Sequence, residues 1–179
     1  MSTEFNKLQS VKRRFFAMRN GIIADTMRRA GSPHRIVFGL NIPQIAEIAR
    51  DSYGDVELAC MLWENATTRE SRLAAPMIMP PESMDMDMAL SWANGVSGVE
   101  ETDVLCHRLL RRLPFACELL ERLVGEHSAT YLTLRLAMNL LPTSADLALV
   151  LADKAKESQV RSEVALARQI KEEVEFLQG

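Results

Sequence analysis

Arginine recurs along this chain at a spacing that can do chemistry. Arg69 and Arg72 fall on one candidate helix, Arg108 and Arg111 on a second, Arg135 on a third and Arg168 on a fourth. The steps from Arg72 to Arg108, Arg135 and Arg168 are 36, 27 and 33 residues. Two-helix solenoid repeats have about that period, and their stacking lines equivalent helices along one face. Guanidiniums aligned there can each fork onto two phosphate oxygens. The competing reading is that arginine is a good helix former with a solvated head. Asp103 is the candidate reactive group, because a carboxylate facing developing positive charge lowers a barrier. Arg108 and Arg111 lie close enough in sequence to keep it ionised. Glu100, Glu101 and Asp103 also read as first-turn carboxylates that complement a helix dipole.

Other reactive arrangements are missing from the sequence. His34, His107 and His127 are far apart, with no H-E-x-x-H spacing, so no metal site is expected. Cys60, Cys106 and Cys117 form no C-x-x-C pair and read as reduced thiols. The methionines between Met77 and Met88 read as core filling around Pro80-Pro81. There is no phosphate-binding glycine loop and no Ser/His/Asp order. No cofactor is expected.

These residues need elements to position them. The chain is 47% apolar and 25% charged, as in ordinary globular proteins, and rich in helix formers. No segment keeps a two-residue alternation. Phe5, Leu8, Val11, Phe15 and Met18 lie at helical spacing and predict a basic amphipathic helix over 3–19. Further helices are predicted over 22–30, 43–52, 55–63, 69–79, 83–94, 99–113, 115–124, 128–141, 144–156 and 158–177. Their signals are caps such as Asn41, Asp85, Ser128 and Ser158, and stops such as Pro80-Pro81, Pro114 and Pro142. Short connections between helices favour hairpins. The expected fold is all-α, a right-handed superhelical stack of HEAT-like helical hairpins, with a compact bundle as the alternative.

Charge divides the chain. Residues 1–35 hold eight basic and two acidic residues, a net of +6, while the remainder carries −9. The expected organisation is basic N-terminal helices over 1–35 packed on a helical-repeat domain over 36–179. A basic arm points to phosphate or to an acidic partner. No apolar stretch is long enough to span a bilayer and no signal pattern is seen, so a cytoplasmic protein is expected.

Three stretches resemble the DNA alkylation repair family. The first is Phe38-Gly39-Leu40-Asn41-Ile42-Pro43, leading into a helix that carries Arg50. The second is Leu62-Trp63-Glu64-Asn65 followed by Arg69-Glu70-Ser71-Arg72-Leu73-Ala74-Ala75. The third is Glu101-Thr102-Asp103-Val104-Leu105. The resemblance runs over roughly residues 36–170. It implies a HEAT-like solenoid holding double-stranded DNA on a basic concave face. It also implies metal-free excision of N-alkylated purines, with Asp103 as the catalytic aspartate beside the sugar. The candidate DNA contacts are the recurring arginines Arg69, Arg72, Arg108, Arg111, Arg135 and Arg168, together with Trp92 for stacking or sugar contact. The family's tryptophan one turn before the aspartate is replaced here by Val99, and the chain is read as ending before the family's last repeat. The expectation is therefore modest DNA binding with slow or absent excision. The alternative is a non-catalytic HEAT-like scaffold for protein partners.

Overall fold

The computed structural model describes residues 3–178, with side chains from Lys7 to Leu177. Among the described residues the chain forms eleven α-helices and no strand; one isolated bridge joins Ile36 and Thr68. The Phe5 side chain, expected on the apolar face of the first helix, lies outside the described side chains. The described chain folds as two compact units that divide between Met84 and Asp85. No helix among the described residues is long and apolar enough to cross a membrane.

The first unit contains α1 (Thr3–Ala17), α2 (Gly21–Arg29), α3 (Ile42–Arg50), α4 (Val56–Glu64) and α5 (Arg69–Ile78). Local chemistry starts several of these helices. Asn41 and Gln44 form a reciprocal capping box at α3, with Pro43 in the first turn. Asp55 accepts the Leu58 N–H at 3.1 Å to start α4, and Lys7 reaches its other oxygen at 2.7 Å. That ammonium holds the Asp55 carboxyl below its ordinary pKa.

Helix α5 is the centre of this unit. It packs against α3 and α4, while α1 packs on the same two helices. Nine of its ten residues are buried, so it is enclosed on all sides. Its first turn is charged, and those charges are satisfied inside the protein. The fully buried Glu70 carboxylate accepts N–H bonds from Phe38 (3.1 Å), Gly39 (3.0 Å) and Leu40 (3.3 Å). Arg69 Nη1 donates to Glu70 Oε1 at 3.0 Å and to the Leu40 carbonyl at 2.9 Å. The pair therefore fixes the connector between α2 and α3 against the start of α5. Arg72 Nη1 donates to the Trp63 carbonyl at 2.7 Å, and its guanidinium lies 3.5 Å from the Trp63 ring centroid.

The second unit contains α6 (Met86–Asn94), α7 (Val99–Arg108), α8 (Ala116–His127), α9 (Tyr131–Asn139), α10 (Leu141–Lys154) and α11 (Arg161–Gln178). Helix α9 packs against α7, α8, α10 and α11 and is the axis of this unit. Leu134, Leu136 and Ala137 on α9 are completely buried.

Two local expectations are corrected and a third holds. The helix expected over 99–113 ends at Arg108, and a tight 3-10 turn covers Leu110–Arg112. Leu109 breaks the helix at φ −128°, ψ −65°, and both Leu109 and Leu110 are fully buried. Core burial of adjacent leucines overrides helix continuation, and Pro114 keeps Leu113 extended at ψ 139°. Ser128 does not cap α9. It sits at φ 59° after α8, and Thr130 is the cap. Pro142 does lie between two helices as expected: α9 ends at Asn139, and Ser144 (φ −141°, ψ 34°) breaks the opening turn of α10, which holds Pro142, from the helix that continues to Lys154.

Two substitutions test the connector clamp. Gly39 has φ +81°, and a Cβ there would lie 2.3 Å from the Asn20 carbonyl oxygen and 2.7 Å from the Ala24 nitrogen. Gly39→Ala combines left-handed backbone strain with overpacking and should cost about 2–4 kcal/mol, read from urea midpoints. Glu70→Gln removes a buried charge that Arg69 and three backbone N–H groups bind and should cost about 3–5 kcal/mol in the same measurement.

Candidate nucleic-acid interface

Asp103 lies on the second turn of α7 and does not cap its helix. Gly98 is the cap residue and no side chain caps α7; Glu101 accepts the Ser97 N–H just ahead of the helix at 2.9 Å, and Thr102 donates to the Gly98 carbonyl. The Asp103 carboxylate points instead to α9. The Tyr131 hydroxyl donates to Asp103 Oδ1 at 2.8 Å and accepts from Arg135 Nη2 at 2.8 Å. Arg135 Nε also lies 2.6 Å from Asp103 Oδ1. Its N–H is out of line with that oxygen, so Nε makes no hydrogen bond and this contact is electrostatic. Both neighbours fall on Oδ1. Among the described residues nothing bonds Oδ2. The Asp103 side chain is 39% exposed and that of Arg135 is 23% exposed, so the pair is reachable from solvent.

Burial and charge set the protonation of this cluster. Burial lowers the Arg135 pKa, but the Tyr131 hydrogen bond and the Asp103 charge outweigh it and raise the net value. Burial first, and then Asp103, raises the Tyr131 phenol, against the opposing pull of Arg135. Tyr131 is therefore a neutral phenol and Arg135 a guanidinium. Cys106 on the same helix is fully buried, which pushes its thiol far up and leaves it unreactive.

His107 stands one turn beyond Asp103. Burial lowers its pKa, and the charges of Arg111, Arg108 and Arg135 lower it further. Arg111, Arg108 and Arg135 are thus the cations whose charges act on this imidazole. Arg108 and Arg111 are exposed. The surface around α7 and α9 thus gathers Asp103, Arg108, Arg111 and Arg135.

The other residues singled out lie elsewhere. Arg69 and Arg72 belong to the first unit, are 2% and 4% exposed, and engage the interior groups described above. Trp92 is 4% exposed on α6, which packs against α8, and presents little ring to solvent. Arg168 is exposed on α11 beside Glu172, 3.7 Å away, and with Arg161 lines a shallow depression of about 310 Å³. Val99 is exposed in the first turn of α7. The described residues contain no group of three His, Cys, Asp or Glu side chains able to hold a metal ion.

Sequence reasoning missed Tyr131 and His107. The available signal was the four-residue step. Asp103 and His107 share one face of α7, and Tyr131 and Arg135 share one face of α9.

Among the described residues the chain is all-helical, and α7 and α9 set one partly exposed carboxylate beside a guanidinium. The family model described as DNA alkylation repair enzyme matches residues 11–139. The chain belongs to that family, and its general role is in DNA repair. No curated protein and no solved structure matches it.

His107 provides a test of the electrostatics. Its midpoint, followed by NMR, should lie below the ordinary 6.5, and Arg135→Gln should move it part of the way back. The folded state binds the proton less readily than the unfolded state. This contribution to stability is therefore constant above about pH 6.5 and declines as the pH falls from there toward the folded midpoint. A phosphate polyanion bound at the arginines should raise the midpoint.

Proposed function

We propose that the protein binds double-stranded DNA through the α7–α9 surface of its second unit. In this reading Arg108, Arg111 and Arg135 meet phosphates, Arg168 adds a further contact from α11, and the hairpins stack in a HEAT-like manner. The observation that carries the reading is the half-exposed Asp103 carboxylate, held on one oxygen only, among arginines that lower the His107 pKa. Burial gives Arg69, Arg72 and Trp92 structural roles in it.

The chemistry assigned to Asp103 is slow excision of N-alkylated purines. Alkylation makes the base a cationic leaving group, so the C1′–N bond breaks with its electron pair going to the base. Positive charge then develops on the sugar. The ionised carboxylate stabilises that charge through Oδ2, and water completes the substitution at C1′. Tyr131 and Arg135 fix the carboxylate and also withdraw part of its charge. Together with the valine at position 99, that lowers the rate below what an unshared carboxylate between aromatic walls would give.

Duplex binding should weaken steeply as salt rises. Arg108→Ala or Arg111→Ala should reduce affinity for all sequences alike and flatten the log–log salt slope by about one. Unchanged slopes would remove the DNA reading and favour the protein scaffold. Release of free N3- or N7-alkylpurine tests the chemistry. Asp103→Asn should lower the excision rate by about 10²–10³ while leaving duplex affinity nearly intact. Excision that survives this substitution would refute the role of Asp103.

A further inference from the structure

A groove of about 220 Å³ opens in the first unit between the end of α1, the start of α2 and residues 36–38. Ala24 and Val37 form a buried apolar floor. Phe16 and Ile36 stand on the rim, 54% and 37% exposed. The Arg19 guanidinium lies 3.8 Å from the Phe16 ring centroid, and Arg28 donates to the Val37 carbonyl at the other side. Arg13, Arg29 and Arg35 are exposed on the same stretch of chain. The volume is smaller than that of an ordinary small-molecule pocket and suits one large side chain. Its surroundings favour an acidic ligand.

The end of α11 has the complementary chemistry. Glu172, Glu173 and Glu175 are exposed there, with Phe176 at 81% and Leu177 at 60% exposure. No basic residue occupies the last turn of this helix. Negative charge at a helix C-terminus opposes the macrodipole, so helix stability does not account for these glutamates. Nor does the protein cover the adjacent phenylalanine. Helix α11 also lies wholly beyond the stretch matched by the family model.

We propose that a second copy of this chain seats Phe176 of its α11 end in the groove, with its glutamates against Arg19 and the neighbouring arginines. The groove and the acidic end are different surfaces, so each contact uses one groove and one acidic end. A single contact leaves one groove and one acidic end unfilled per pair of copies, and association grows with concentration. This inference does not depend on DNA binding.

The test uses the full chain without nucleic acid, in sedimentation and light scattering over a concentration series. The weight-average mass should rise above the 20.1 kDa monomer and fall back at high salt. Phe176→Ala and Arg19→Glu should each weaken association by at least about tenfold, with unchanged helical circular dichroism. Mixing the two variants leaves one intact groove and one intact acidic end per pair. The mixture should form a dimer and stop there. As a second readout, a labelled peptide of residues 169–179 should bind the Phe176→Ala chain and fail to bind Arg19→Glu. A monomer mass throughout, association unaffected by either substitution, or peptide binding retained by Arg19→Glu would each overturn the proposal.

Discussion

The buried Glu70 carboxylate is the constraint on which the first unit depends. A charge in the interior is tolerated only when hydrogen bonds and a counter-charge replace water. Glu70 finds three backbone N–H groups and the Arg69 guanidinium. Those N–H groups belong to Phe38, Gly39 and Leu40, which form no helix or sheet and would otherwise lack partners inside the protein. One side chain therefore satisfies a whole connector. The same connector must pass within Cβ distance of α2, which only glycine at position 39 permits. It then delivers Asn41 to cap α3.

The second unit uses the same residue types in a different dielectric setting. Asp103 and Arg135 are an acid and a guanidinium like Glu70 and Arg69, but they remain partly exposed. A buried pair leaves neither charge available to another molecule. A partly solvated pair can exchange partners, because water has already reduced the cost of separating it. Tyr131 bridges the two through one hydroxyl that both donates and accepts. This contrast makes the Glu70–Arg69 pair architectural and leaves the Asp103–Arg135 pair in reach of solvent.

Much of the helical framework was legible in the chain. Asn41 with Gln44, Asp55 and Asp85 marked helix starts that the structure uses. Pro80-Pro81 marked a stop. Such signals act over three or four residues, which is why sequence exposes them. The break after Arg108 was not legible, because it follows from burial of Leu109 and Leu110 against distant parts of the unit. The helix start expected at residue 144 was legible: Ser144 carries the break inside α10, two residues after Pro142.

Sequence by itself determined the all-helical class and the motifs that place the chain in the DNA alkylation repair family. It also singled out Asp103 and Arg135 as residues of interest. Tertiary structure decided which charges face the interior. In sequence, Arg69 and Arg72 look as solvated as Arg108 and Arg111. Only the packing of α3 and α4 around α5 buries the first pair. Tertiary structure also decided that Asp103 turns away from its own helix start, toward a tyrosine 28 residues along the chain. Helix propensity and capping are local properties of a few neighbouring residues. Burial and ion pairing depend on groups that the fold brings together from afar.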